Sequence, residues 1–108
     1  MKYGLSGAVL SVLNDLFRKH EGIQKVVLYG SRAMDNYRQG SDIDITLITG
    51  GDFRLEELFD LKGELDESSL PYLFDVSLFG RLKNENLLSH INRVGKVIYE
   101  KEGCCCVH

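Results

Sequence analysis

Asp42 and Asp44 stand two residues apart in the run Asp42-Ile43-Asp44-Ile45. In an extended strand that spacing sends both carboxylates to one face and both isoleucines to the other. Two ionised acids on one face repel unless a cation neutralises them or a proton is retained, and hard carboxylate oxygens of this kind suit Mg²⁺ or Mn²⁺. Upstream, the apolar run Val26-Val27-Leu28 stops at Gly30-Ser31. A strand ending in Gly-Ser and entering a helical turn offers free backbone N–H groups and a hydroxyl, all suited to a phosphate. A third acid, Asp75, lies in a later strand-like segment. Three convergent carboxylates can hold one or two divalent ions while leaving positions for water and a substrate phosphate.

Positioning these groups requires particular elements. From Ser6 to Lys19, Val9, Val12, Leu13, Leu16 and Phe17 recur at three- and four-residue steps, which predicts an amphipathic helix closed by Gly22. Ile23 to Tyr29 reads as a buried strand, and Asp42 to Thr49 as a second strand alternating with period two. The polar connection from Arg32 to Gly40 must reverse the chain, making these strands antiparallel neighbours. The end of the first then abuts the start of the second. Arg32 and Arg38 fall in this connection, either as triphosphate contacts or as ordinary solvated arginines.

Asp52 is the expected N-cap of a helix from Phe53 to about Asp66, with Leu55, Leu58, Phe59 and Leu65 on its inner face. That helix is long enough to be a crossover, so the strand from Leu73 to Phe79 can lie parallel to the second strand, with Asp75 beside Asp42 and Asp44. Asn84 to Val94 predicts a last helix with Leu87, Leu88, Ile91 and Val94 inward and Gly95 as its stop. The short run Val97-Ile98-Tyr99 has no defined state from pattern alone. The expected fold class is α/β (α+β), a small mixed sheet of three core strands flanked by helices.

With 108 residues there is room for one domain, expected over residues 1–103, with 104–108 as a disordered tail. The 13 Lys and Arg against 16 Asp and Glu give a net charge of -3, without the electropositive excess that direct nucleic-acid binding requires. No apolar run approaches the roughly 20 residues of a membrane span, and no secretory pattern opens the chain, so the expected location is cytoplasmic. Cys104, Cys105 and Cys106 are contiguous and cannot staple distant segments. Tyr29 reads as a packing residue, and His20 and His90 as surface or helix-end residues.

The stretch Leu28-Tyr-Gly-Ser-Arg-Ala-Met-Asp-Asn-Tyr-Arg-Gln-Gly-Ser-Asp-Ile-Asp-Ile45 resembles the signature of the minimal nucleotidyltransferases of the DNA polymerase β superfamily. Leu70-Pro-Tyr-Leu-Phe-Asp-Val-Ser-Leu78 resembles that family's third-acid strand, and Ser89 to Tyr99 its closing helix and tail. The resemblance implies the nucleotidyltransferase fold and transfer of a nucleoside monophosphate, AMP from ATP, to a hydroxyl acceptor on a partner protein or small molecule, with pyrophosphate leaving. It implies Asp42, Asp44 and Asp75 as catalytic Mg²⁺ (or Mn²⁺) ligands, with Gly30 and Ser31 holding the β,γ-phosphates. Met34-Asp35 departs from the family pattern, which often carries a basic residue and a glycine there.

Within the domain expected here, no surface remains for recognising an acceptor. The resemblance supplies the expected partner, a helical protein of the HEPN or substrate-binding type in a heteromeric complex. An alternative follows from the same resemblance: a non-catalytic, antitoxin-like subunit that masks its partner.

Overall fold

The computed structural model describes residues 5–30, 42–51, 53–68, 70 and 72–101. Helix α1 (Gly7–Arg18) begins where the Ser6 hydroxyl accepts the Val9 N–H at 3.2 Å, and buries Leu13 and Phe17. Strands β1 (Ile23–Tyr29) and β2 (Ile43–Thr49) follow, then helix α2 (Leu55–Glu67), strand β3 (Phe74–Leu78), a 3₁₀ turn (Phe79–Arg81), helix α3 (Glu85–Val94) and strand β4 (Lys96–Glu100). The sheet order is β3-β2-β1-β4, so the expected three strands become four. β4 owes its state to antiparallel pairing with β1. That long-range partner is invisible to local pattern.

As expected, β1 and β2 are antiparallel and β2 and β3 parallel. Period two sorts the strand residues onto two faces. Val26, Leu28, Ile43, Ile45, Leu47 and Val76 pack with α1 and α2 in the main core. Val27 and Tyr29 lie on the other face, where Ile91 of α3 joins them in a second, smaller core. The domain is therefore three layers, with the sheet between α1 and α2 on one side and α3 on the other. Asn14 Nδ2 of α1 donates to the Ile98 carbonyl at 3.3 Å, tying the first helix to β4.

Two details of α2 differ from expectation. Its N-cap is Arg54, whose backbone N–H donates to Glu57 Oε2 at 2.9 Å, and not Asp52, which lies outside the described residues. Its buried stripe is Leu58, Leu61 and Leu65, while Leu55 and Phe59 are 40% and 60% exposed. Both sets fit helical spacing, and packing on the sheet selects the one containing Leu61. Of the two expected readings His20 is the helix-end one: it follows the end of α1, its side chain is 11% exposed and its Nε2 is 2.7 Å from Glu64 Oε1, linking α1 to α2.

Helix α3 is capped by the Asn84 side chain, which accepts the Asn86 and Leu87 N–H groups at 2.9 and 3.1 Å. It ends at Gly95, where a Cβ would press on the Ile91 carbonyl and lie 2.6 Å from Val27 Cγ1. Only glycine lets the chain turn so directly from α3 into β4. Asn84→Ala removes the acceptor for both N–H groups and is expected to cost about 1 kcal/mol, read as a lower urea midpoint at unchanged slope.

Candidate active site

The site is assembled by register. Tyr29 at the end of β1 pairs with Asp44 of β2, and Asp44 pairs with Asp75 of β3. Directly paired residues point to the same side of a sheet. Tyr29, Asp44 and Asp75 thus form one row across three strands, on the face that α3 covers. The start of the row is fixed by the Ile43 N–H, which donates to the Leu73 carbonyl at 2.8 Å. Further along, Thr46 Oγ1 donates to the Ser77 carbonyl and Ser77 Oγ to the Ile45 carbonyl, each at 3.4 Å. These bonds satisfy Thr46, the buried polar residue of the described core.

Exposure grades along the row. Tyr29 is buried, Asp44 half-buried, and Asp75 open to solvent. Asp42 precedes β2 by one residue and is exposed. Burial lifts the Asp44 carboxyl above its ordinary range, and the charges of Asp75 and Asp42 lift it further. Burial likewise raises the Tyr29 phenol, opposed by its hydrogen bond with Ser77 and reinforced by Asp44 and Asp75. Burial and the like charges of the row therefore make Asp44 hold its proton more tightly than a free carboxyl.

Gly30, next after Tyr29, has φ +78, the left-handed region that disfavours side chains. A Cβ there would collide with Asp44 Oδ2. Glycine is required twice over, for its backbone angle and for the space it leaves the carboxylate. The Gly30 N–H donates to His90 Nε2 at 3.2 Å, and the His90 ring meets Tyr29 edge-on with centroids 6.4 Å apart.

The structure thus brings Gly30, Asp44 and Asp75 together, with Asp42 close enough for its charge to be felt at Asp44. Ser31, Arg32 and Arg38, expected at the phosphates, lie outside the described residues, as do Cys104 to Cys106. Among the described residues, no three His, Cys, Asp or Glu side chains close around a common point as a metal cage. His90 was missed by sequence reasoning, although its place in α3 signalled it: three after Leu87 and four before Val94, it shares their inward stripe.

A recess of about 150 Å³ beside Asp75 is lined by Lys62, Leu65, Asp66, Phe74 and Val76. A larger concavity, about 670 Å³, lies at the opposite end of β1, between α1 and the end of β4. Among the described residues no helix is long and apolar enough to cross a membrane.

The polymerase beta nucleotidyltransferase family profile matches residues 12–103. No curated protein matches the sequence significantly. Solved structures similar to the chain include a toxin-antitoxin with AMP-PNP, at 20% identity and TM-score 0.68 over 86% of this chain and 74% of that one. Another is the tri-AMPylated HEPN toxin of Shewanella oneidensis in complex with its MNT antitoxin, at 19% identity and TM-score 0.62 over 86% and 71% of the two chains. A third is a putative nucleotidyltransferase from Sulfolobus solfataricus, at 16% identity and TM-score 0.55 over 87% and 78%. At these identities the likeness is one of fold.

Proposed function

The chain belongs to the polymerase beta nucleotidyltransferase family, and from that membership we propose that it transfers AMP from ATP to a hydroxyl acceptor and releases pyrophosphate. The observation that carries this reading is the pairing of Asp44 with Asp75 beside the Gly30 end of β1. It sets two carboxylates at one sheet end, next to the turn where a triphosphate would lie.

Asp42, Asp44 and Asp75 are the residues that would hold divalent cations, Mg²⁺ or Mn²⁺. The fit is chemical: hard oxygen ligands, with Asp44 under repulsion from its neighbours that a cation would relieve. When bound, the ions supply charge neutralisation at the attacking and leaving oxygens of an in-line displacement. The acceptor oxygen bonds to the α-phosphorus as the bond from that phosphorus to the β-phosphate bridging oxygen breaks. Asp75, the most open of the paired acids, would receive the hydroxyl proton. Gly30 and Ser31 line the β,γ-phosphates, with Arg32 and Arg38 as the cations that steady them, and Tyr29 walls the site from the core.

The acceptor is assigned to a helical HEPN-type partner in a heteromeric complex within the cytoplasm, where ATP is available. The support is the fold's likeness to an MNT antitoxin solved with an AMPylated HEPN toxin. Residues 1–103 act as one catalytic domain in this reading. Incubation with α-labelled ATP, Mg²⁺ and the helical protein encoded beside it is expected to place label on that protein. Complex formation with no label would instead identify a masking subunit without turnover.

A further inference from the structure

We infer that His90 is the positioning residue of Gly30: its Nε2 holds the Gly30 amide, so that Gly30 serves the nucleotide by leaving space beside the acid row. The inference rests on the nucleotidyl-transfer reading above. The Gly30 N–H points at His90 Nε2, 3.2 Å away. To accept that hydrogen the nitrogen must be unprotonated, which puts the ring proton of neutral His90 on Nδ1. The ring cannot swing freely, because it stands edge-on to the buried Tyr29 at an interplanar angle of 80° and follows an α3 stripe whose next residue, Ile91, is in the second core.

The bond matters because of what Gly30 touches. With φ at +78, its backbone is in a conformation that glycine reaches but does not strongly prefer over others. A Cα hydrogen faces Asp44 Oδ2, so any rotation at Gly30 changes its gap to the acid row. His90 is the described side chain that fixes that rotation from outside the turn, from a helix sixty residues later in the chain. The Gly30 amide is then already occupied before a nucleotide arrives, and pre-organisation of the turn lowers the ordering cost of binding.

Two variants separate positioning from bulk packing. His90→Gln keeps an acceptor oxygen, whereas His90→Phe keeps a ring against Tyr29 and loses the acceptor. In ¹⁵N-resolved NMR, the wild type is expected to show a Gly30 amide protected from exchange. His90→Phe is expected to speed that exchange at least about tenfold and to weaken Mg²⁺-ATP binding about tenfold in calorimetry, the equivalent of ~1.4 kcal/mol. His90→Gln should restore both to within about threefold of wild type, at a melting temperature matching that of His90→Phe.

A freely exchanging Gly30 amide in the wild type overturns the inference, and this measurement stands even if a variant fails to fold. Equal nucleotide affinity in wild type and His90→Phe overturns it as well. If the wild-type amide is held but the wild type binds no Mg²⁺-ATP, the nucleotidyl-transfer reading fails and the positioning role goes with it.

Discussion

Asp44→Asn is expected to abolish nucleotidyl transfer and, in the absence of divalent cations, to raise the melting temperature at neutral pH. The two effects share one cause. Burial and the charges of Asp75 and Asp42 hold the folded Asp44 pKa above its ordinary value of 3.8. The folded chain then binds this proton more tightly than the unfolded chain does. For an acid shifted in that direction, stability is lost as pH rises through the unfolded pKa, and the loss is complete above the folded one. Asparagine carries no such penalty. The stabilisation of Asp44→Asn should therefore be full at neutral pH and vanish below the unfolded value.

Adding Mg²⁺ should raise the wild-type melting temperature and leave that of the variant nearly unchanged, because a ligand stabilises only the chain that binds it. Loss of transfer should exceed the roughly 10–100-fold that removing an outer partner of a metal ligand costs, since here an inner ligand is lost. Calorimetry with and without Mg²⁺, across pH, checks the stability part. Label transfer to the partner checks the rest.

Gly30→Ala is the second large effect, and it strikes fold and chemistry together. A left-handed backbone costs an alanine about 1–2 kcal/mol, and the new methyl meets the Asp44 carboxylate. Relief requires moving either the turn or Asp44. The expected result is a stability loss of about 1–3 kcal/mol by urea denaturation, with transfer reduced even under conditions where the variant is fully folded. Asp44→Asn combined with Gly30→Ala should recover no more than Asp44→Asn gains alone, because the amide of asparagine occupies nearly the same space as the carboxylate it replaces.

The sheet that carries the site was legible because the signal was local. Ile43, Ile45 and Leu47 alternate with Asp44 and Thr46, and the same period in β3 fixes the side of Asp75. The long helix between β2 and β3 made parallel pairing the expected arrangement, and parallel pairing sets Asp44 against Asp75. What stayed hidden depends on distant partners. Val97-Ile98-Tyr99 is too short to declare itself a strand until β1 is beside it. Leu61 and Phe59 lie on opposite faces of α2, and only the sheet beneath decides which face turns inward. The meaning of His90 comes from the Gly30 amide sixty residues earlier.

The most direct measurement is a crystal of the chain grown with Mn²⁺ and a non-hydrolysable ATP analogue, read by anomalous scattering. A peak coordinated by Asp44 and Asp75, with Asp42 turned toward it and the phosphates beyond Gly30, is the predicted result. A bound nucleotide whose metal lies away from these carboxylates, or crystals at millimolar Mn²⁺ with no peak between Asp44 and Asp75, would contradict the account.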